Sequence, residues 1–348
     1  MSGIRRTGAR IPPARRGLPP AASAVVLVLA LSACVGKPDA PAAQAPPLIA
    51  VVRAADWMGR EWAEDAIRVG LLESDLVRDV DYRLEVTSAQ GDLATLPGLI
   101  DHAIDRKAAV IVALQDPTLA VALQRSERTP VIFHLLSDPF AAGAGTSDSN
   151  HLPNVTGVYS PGFGDPEQAR RVELIRRVVP KARQAGVLFS PEEGLSVSFK
   201  DRFSAEAERS GLGVVAVPVG SVSEVGDATQ ALCDRKVDAI ELFGNVAHAG
   251  FASLIKVANG CRTPVFSPSP FEVMQGATLS FFPDFQQGGV EAGKMIARVL
   301  RGETPASIPF HRVEKTQVFV NPTEAARAGV TIPADVVQQA DSVVGGSR

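Results

Sequence analysis

Side chains that could bind a small molecule recur in this sequence at the points where predicted β-strands end. Hydroxyl, amide and carboxylate groups at such points can fix the orientation of a ligand, and aromatic rings can supply contact area. The chemistry is recognition by hydrogen bonds and stacking, without bond making. We predict that one ligand-binding site is formed by the following nine residues: Trp57, Asp116, Thr118, Ser137, Asp138, Tyr159, Asn245, Ser267 and Ser269.

Several residues in and near this set have more than one interpretation. Asp116 could meet a cationic or hydroxyl-rich ligand, or it could only cap the helix that follows it. Asp138 could face the ligand or cap the next turn. Trp62, on a predicted helix face, is expected in the core, and the pair Glu192 and Glu193 is interpreted as a solvated loop.

The sequence lacks the motifs that catalysis and nucleotide binding require. It has no G-x-S-x-G nucleophile elbow and no GxxxxGK[ST] phosphate loop. Its five histidines do not pair at the spacing of metal ligands. We therefore expect no catalytic residue, no metal site and no cofactor, and a hydrolase-like or other enzyme is the least favoured function.

Strands alternate with helices through most of the chain, which predicts parallel sheets with right-handed crossovers. The alternation runs once over residues 48–159 and restarts over 166–266, and a final strand and long helix lie within 277–302, where Asp284 is expected to be the N-cap. The predicted strands are 48–52, 82–86, 109–114, 131–136, 154–159, 184–189, 213–219, 239–243 and 264–266, and the predicted helices are 61–72, 93–104, 119–123, 166–179, 197–208, 227–234 and 251–258. This pattern predicts an α/β fold of two doubly wound parallel-sheet lobes, with the ligand in the cleft between them.

Two of the predicted site residues have a special place in this arrangement. Tyr159 lies at the first crossing between the lobes, so it could contact the ligand and the hinge at once. Trp57 lies in the loop that follows the first predicted strand, where its ring could stack on a planar ligand.

Two cysteines lie near the ends of successive predicted helices that flank one strand. In the expected strand order 2-1-3-4-5, right-handed crossovers place both helices on one face of the sheet with their carboxyl ends together. A disulfide between Cys233 and Cys261 is therefore geometrically sensible in an oxidising compartment. Two buried thiols on adjacent helices are the alternative.

The first 34 residues are typical of an exported protein. Five arginines precede the apolar segment 21–31, which is too short to span a membrane. The run Leu31-Ser32-Ala33-Cys34 resembles the lipobox of bacterial lipoproteins, in which Cys34 would carry the lipid. We predict a signal peptide over residues 1–33 and a lipid anchor with a Pro/Ala-rich tether over 34–47. The alternative is an ordinary signal peptide cut near Ala33.

Composition bounds the class of protein and its partners. The 348 residues are 45% hydrophobic and 21% charged, which suits a compact α/β protein and argues against a disordered one. The net charge of −3 gives no reason to expect a nucleic-acid partner.

Four segments carry a resemblance to a known family. They are Asp138-Pro139, residues 154–157 (NVTG), the run 276–285 (GATLSFFPDF) with its helix, and 318–333, in which VFVN precedes a short Ala-rich helix and GVTIP. Over residues 48–344 the chain resembles the ABC-transporter substrate-binding family that includes the tryptophan-binding lipoproteins, with a type I periplasmic-binding-protein fold.

The resemblance implies two lobes joined by a multi-strand hinge of three crossings, and the lobes close on a small molecule. Lobe 1 is expected to contain residues 48–157 and 282–312, and lobe 2 residues 158–281 and 313–345. It also implies delivery of the ligand to an ABC permease that is driven by a separate ATPase.

Three departures from the family concern the ligand. Asp116-Pro117 stands where the aromatic-amino-acid binders of the family are expected to have Thr-Pro, and Gly244 stands where they are expected to have Asp. An acidic residue is expected near Ser269, and the sequence is interpreted as lacking it. A ligand ammonium group favours a carboxylate partner, so an α-amino acid ligand is not supported by these positions.

The leading hypothesis is a solute-binding lipoprotein of an ABC importer. We expect a monomer that is anchored by lipid to the extracytoplasmic side of the cell envelope and binds a small polar or partly aromatic solute reversibly. The alternative is a sensory or interaction lipoprotein of the same fold that presents itself to a membrane receptor or a cell-wall enzyme.

Overall fold

The computed structural model describes residues 45–55, 60–161 and 164–345. The predicted signal peptide, the predicted lipidation site Cys34 and the predicted ligand-binding residue Trp57 lie outside the described residues. Among the helices of the described chain, none combines the length and the apolar content that a membrane span needs.

The described residues form fifteen β-strands. In chain order they are β1 (Leu48–Arg53), β2 (Arg83–Ser88), β3 (Val110–Leu114), β4 (Val131–Leu136), β5 (Gly145–Ser147), β6 (Asn150–His151), β7 (Val155–Tyr159), β8 (Gln184–Phe189), β9 (Gly213–Pro218), β10 (Ala239–Leu242), β11 (Val265–Ser267), β12 (Leu279–Pro283), β13 (His311–Arg312), β14 (Thr316–Val320) and β15 (Ser342–Val343).

The same residues form twelve α-helices. In chain order they are α1 (Arg60–Glu73), α2 (Leu96–Asp105), α3 (Asp116–Arg125), α4 (Asp165–Val178), α5 (Gly194–Arg209), α6 (Val225–Asp234), α7 (Asn245–Ala249), α8 (Phe251–Cys261), α9 (Pro270–Met274), α10 (Phe285–Leu300), α11 (Pro322–Arg327) and α12 (Ala334–Gln339). Each strand and helix of the predicted alternation is present. The hairpin β5–β6 and the short helices α7 and α9 were not predicted.

The strands form two large sheets. The first sheet has the order β13-β7-β4-β3-β1-β2, and the second has the order β15-β14-β12-β11-β10-β8-β9. Five parallel strands in each sheet follow the order 2-1-3-4-5, and β14 pairs antiparallel to β12. The prediction of two doubly wound parallel sheets is therefore confirmed. We call the first sheet with α1–α3 and α10 the first lobe, and the second sheet with α4–α9, α11 and α12 the second lobe.

The first lobe is held by apolar strands that are buried on both faces. All five residues of β3 (VIVAL) are buried, as a central strand covered by helices on both sides requires. Helices α1 and α10 cover one face, and their backbones touch. A Cβ added to Gly70 would overlap the carbonyl oxygen of Val290, and one added to Gly293 would overlap the carbonyl oxygen of Ile67. Only glycine permits this approach.

The second lobe has a more polar interior. Arg171 on α4 and Glu241 on β10 form an ion pair at 3.0 Å, and both side chains are almost fully buried. The structure also joins Cys233 and Cys261 in a disulfide with a Cα–Cα distance of 6.0 Å, as the bridged alternative predicts. The bridge links the ends of α6 and α8.

Three segments of chain pass between the sheets. They connect β7 to β8, β12 to β13 and β13 to β14. The predicted lobe boundaries at residues 157/158 and 281/282 fall inside β7 and β12. The predicted assignment of residues to the two lobes stays a prediction.

Candidate functional site

The carboxyl ends of the parallel strands define the edge of each lobe where a ligand is expected. At this edge an aromatic contact joins the lobes. Trp62, in the first turn of α1, packs against Phe271 of α9 with ring centroids 4.7 Å apart. The expectation that Trp62 belongs to a core was wrong in this respect, because the ring spans the two lobes. We call the space between the two edges the cleft.

Asp116 is held at the start of α3 by groups of the first lobe. Its Oδ1 accepts a hydrogen bond from the Ser137 hydroxyl at 3.4 Å. Burial raises the pKa of Asp116, although the backbone N–H groups of Ser137, Asp116 and Asp138 and the Ser137 hydroxyl act to lower it. No cationic side chain within the described residues forms an ion pair with this carboxylate. Two predicted site residues, Asp116 and Ser137, thus lie together.

Thr118 lies on the first turn of the same helix and is fully buried. Its hydroxyl has no hydrogen-bond partner among the described residues. The residue before the helix, Gln115, has a φ of 74° and accepts the backbone N–H of Ala55 at 3.0 Å through its side-chain oxygen. Gln115 thereby fixes the loop after β1 to the loop after β3, a role that the sequence analysis missed.

Asp138 acts as a turn cap in the structure. Its Oδ1 accepts the backbone N–H groups of Phe140 at 2.9 Å and Ala141 at 3.0 Å. Both bonds are local, so the capping interpretation is favoured over the ligand-facing one.

Tyr159 belongs mainly to the core of the first lobe. The residue is 7% exposed, and its ring packs edge-on against Phe140. Its hydroxyl donates to Asp148 at 3.0 Å, and burial together with this carboxylate raises the pKa of Tyr159 to about 12. The structure therefore places the side chain behind the edge.

Asn245 begins α7 and is held by Glu193, the residue directly before α5. The Glu193 carboxylate accepts the backbone N–H of Asn245 through both oxygens, at 2.9 and 3.0 Å, and the Asn245 side-chain amide donates to it at 3.1 Å. Glu193 lies in a loop, as interpreted, but its carboxylate has a specific partner. It is bound to the start of a helix.

Ser267 and Ser269 lie at the carboxyl end of β11 beside a buried carboxylate. The Ser267 hydroxyl donates to Glu272 and accepts the backbone N–H of Ser269 at 2.9 Å. Glu272 also contacts His248 at 2.6 Å. Burial acts to lower the pKa of His248, but the carboxylates of Glu272, Glu193 and Glu241 together outweigh it, so this pKa lies above its usual value.

The acidic residue that the sequence analysis expected near Ser269 is therefore present. It is Glu272, three residues further along, on a helix that was not predicted. Its spacing from Ser269 was the available signal, since a helix that starts at Pro270 would turn this side chain back towards β11.

The ion pair of Arg171 and Glu241 lies behind this part of the second lobe. Arg171 also donates to the carbonyl oxygen of Phe281 at 2.8 Å. Burial raises the pKa of Glu241 to about 7, against the opposing effect of Arg171. The pair is not at the edge itself, so we assign it to support of the strands that carry the edge.

The described residues contain no group of three or more histidine, cysteine, aspartate or glutamate side chains that could hold a metal ion. The arrangement offers hydroxyl, amide and carboxylate groups from both lobes and an aromatic contact between them. Such a set can hold a small polar molecule reversibly.

Comparisons with known proteins show similarity over most of the chain. The family described as ABC transporter substrate binding protein matches residues 49–344. A tyrosine-binding protein of Clostridioides difficile is 25% identical over 252 residues, which cover 72% of each chain.

Two solved structures are similar over most of the fold. An ABC domain in complex with L-Trp from Streptococcus pneumonia is 25% identical, covers 86% of this chain and 100% of its own, and has a TM-score of 0.76. A ligand-free, open substrate binding protein from Clostridium difficile is 20% identical, covers 86% of this chain and 100% of its own, and has a TM-score of 0.69.

Proposed function

Because this chain belongs to the ABC transporter substrate binding protein family, we propose that it binds one small molecule in the cleft and delivers it to an ABC permease with a separate ATPase. The family consists of substrate-binding proteins and not of enzymes. The observation that carries the proposal is the contact of Trp62 with Phe271, because it brings the strand ends of both lobes around one space.

Closure of the lobes on a ligand follows from this arrangement. The three connecting segments are the only covalent links between the sheets in the described chain, so the lobes can rotate about them. A ligand that touches both edges binds the closed form more tightly than the open form and shifts the population towards it. The permease can then distinguish the loaded protein by its shape.

A solute library tests the proposal directly. A ligand present at a hundredfold excess over its Kd should add about 2.7 kcal/mol to the free energy of unfolding, since it binds only the native state. The measurement is the shift in melting temperature with each solute, together with mass spectrometry of any ligand that purified protein retains.

A pair of variants controls this experiment. Trp62→Ala should weaken ligand affinity at least about tenfold, because an aromatic side chain supplies much of the buried area in such sites. Leu72→Ala changes an exposed side chain on the same helix and should leave affinity unchanged. The proposal fails if no solute raises the melting temperature and no retained ligand is detected.

The lipid anchor is a further part of the proposal. Cys34 follows an apolar segment in a lipobox-like sequence, and a Pro/Ala-rich tether joins it to β1. Each buried methylene of an acyl chain contributes about 0.8 kcal/mol to membrane binding. Cys34→Ser should therefore release the protein from the membrane fraction, and unchanged membrane association contradicts the anchor and the extracytoplasmic, membrane-bound location that it implies.

A second function is favoured by the carboxylates of the cleft. Asp116 and Glu193 take up N–H groups that a family member could otherwise offer to a ligand. A sensory or interaction lipoprotein without transport would fit the loss of these free N–H groups. Recovery of a receptor or a cell-wall enzyme in a pull-down, with no permease recovered and no ligand retained, would support that function.

A further inference from the structure

The start of α7 is occupied by a carboxylate of the protein itself. Both oxygens of Glu193 accept the backbone N–H of Asn245, and one of them also approaches the N–H of Val246 at 3.4 Å. Free N–H groups at a helix start are the usual binding place for an anionic ligand. At α7 the Glu193 carboxylate occupies this anion-binding place.

The first lobe shows the same arrangement at the start of α3. Asp116 lies among the backbone N–H groups of Asp116, Ser137 and Asp138, and it accepts the Ser137 hydroxyl. A ligand carboxylate would have to displace this side chain. It would also be repelled by it.

Three cationic side chains near the edge have acidic partners. Arg53 pairs with Glu64, Lys315 pairs with Asp284 at 2.9 Å, and His248 pairs with Glu272 at 2.6 Å. The pairs come from both lobes and from the connecting segments.

Asp116 and Glu193, by contrast, form no ion pair within the described residues. Each lobe therefore presents one carboxylate that is held by hydrogen-bond donors and has no ion-pair partner among the described residues, although His248 also interacts electrostatically with Glu193. A ligand that carries positive charge would gain from both, and a ligand that carries negative charge would gain from neither.

Two buried hydroxyls at the same edges also lack partners. Ser190 is 2% exposed, and its Oγ has no hydrogen-bond partner among the described residues. A Cβ added to Gly244 would lie 2.8 Å from this oxygen, so the hydroxyl faces the chain just before α7. Thr118, fully buried two residues beyond Asp116, also has a hydroxyl without a hydrogen-bond partner among the described residues. Buried polar groups are normally satisfied by protein, water or ligand, and these two lie close in sequence to Glu193 and Asp116.

We propose that the cleft binds a small organic cation that has an amine and lacks a carboxylate, with Asp116 and Glu193 providing the negative charge. The inference rests on the proposed function, since it names the chemical class of the ligand for the same cleft. Trp62 and Phe271 supply an aromatic surface, and aromatic faces attract cations. The proposed ligand class differs from the amino acids named for two of the relatives, tyrosine and L-Trp.

Matched pairs of amino acids and their decarboxylated amines test the inference. The probes are tryptamine with L-tryptophan, tyramine with L-tyrosine, histamine with L-histidine, agmatine with L-arginine and cadaverine with L-lysine. Isothermal titration on the purified chain should give, for each pair that binds, a Kd for the amine at least about tenfold lower than for the amino acid.

Variants that remove one negative charge locate the effect. Glu193→Gln keeps an oxygen that can accept the N–H of Asn245, so the helix start is preserved while the charge is lost. This variant and Asp116→Asn should each weaken amine binding at least about tenfold. Glu192→Gln makes the same change of net charge at an exposed neighbour and should leave the Kd unchanged. Melting temperatures of the three ligand-free variants show whether each one is folded.

Each result supports or overturns the cation proposal. Preference for an amino acid in any pair overturns it, and so does an equal loss of affinity in Glu192→Gln and Glu193→Gln. Binding of none of the ten probes overturns it as well. If the solute library then yields a neutral or anionic ligand, the proposed function holds and only the ligand class is wrong, whereas an empty library removes the function itself.

Discussion

The two lobes share one strand order but differ in what fills their interiors. The central strands of the first lobe are apolar, and its buried polar side chains include a neutral histidine, His134, under α10. The second lobe encloses the ion pair of Arg171 and Glu241, and a disulfide at its surface joins the ends of α6 and α8. The fold therefore does not dictate a single way of stabilising its core.

The two lobes should therefore be destabilised by different kinds of substitution. The first lobe depends on close packing of apolar side chains and on two helices whose backbones touch, so its stability depends on shape. The second depends on charges that are costly to bury unless both partners remain. Disruption of one partner should therefore harm the second lobe far more than a comparable change in the first.

Loss of one partner of the buried ion pair should have the largest effect. Glu241→Leu leaves Arg171 buried without its carboxylate and should cost about 3–5 kcal/mol of the free energy of unfolding. Arg171→Met combined with Glu241→Leu should recover most of this loss, because no charge remains buried. Urea unfolding of both variants measures the comparison. Equal destabilisation by the single and double variants would show that the buried charge is not the cause.

Removal of the disulfide should have the next largest effect. The bridge closes a loop with a sequence separation of 28 residues. A loop of this size corresponds to about 3–4 kcal/mol in the chain-entropy account. Cys233→Ser with Cys261→Ser should therefore lower the free energy of unfolding by that amount, whereas addition of a reductant should not destabilise the double variant further. Equal stability of the double variant and the parent chain contradicts a structural role for the bridge.

Acid should weaken the first lobe through His134. Burial lowers the pKa of His134 to about 4 from its ordinary value of 6.5, although its bond to the carbonyl oxygen of Phe285 opposes this. The unfolded chain takes up a proton as the pH falls through 6.5, while the folded chain does so only near pH 4. Stability from this group is therefore complete above pH 6.5 and is lost as the pH falls towards 4. The loss is about 3 kcal/mol, since one pKa unit corresponds to about 1.4 kcal/mol.

Comparison with His134→Gln measures this term. The variant retains an N–H donor for the carbonyl oxygen of Phe285 and has no titration in this range. The difference in free energy of unfolding between the two chains should change with pH only between 6.5 and 4. A constant difference across that interval would show that His134 does not titrate as the structure indicates.

The smallest predicted effect concerns the start of α10. Asp284 accepts the backbone N–H of Gln287 at 3.0 Å and so caps the helix, as the sequence predicts. Asp284→Ala should cost about 1 kcal/mol of unfolding free energy, and Asp284→Asn should cost less because asparagine is also a good cap. Thermal unfolding of the two variants separates capping from the ion pair with Lys315, which both variants lose. Equal losses in the two variants would assign the effect to the ion pair.

The sequence was sufficient for the sheets because strands buried on both faces are continuous apolar runs. Val110–Leu114 is an example, and the helix spacing around it left little choice of topology. The short helices α7 and α9 gave no periodic signal, since five residues are fewer than two turns. Because α9 was not predicted, the contacts of Glu272 on that helix could not be predicted either.

The site residues were predicted less well than the fold, for a physical reason. A position after a strand locates the backbone but not the partner of the side chain. Asp138 satisfies its own turn, Tyr159 turns into the core, and Glu193 reaches a helix 52 residues away. Such partners are fixed by tertiary contacts and could not be derived from spacing along the chain.

The glycine contact between α1 and α10 has a mechanical consequence. Because the backbones of α1 and α10 are in contact at these glycines, the two helices should move together as one unit. Helix α10 lies within the segment that connects β12 to β13 and begins just after Pro283. Its partner α1 carries Trp62 in its first turn. A rotation of the first lobe about that segment would therefore move the Trp62 ring relative to Phe271 at the mouth of the cleft.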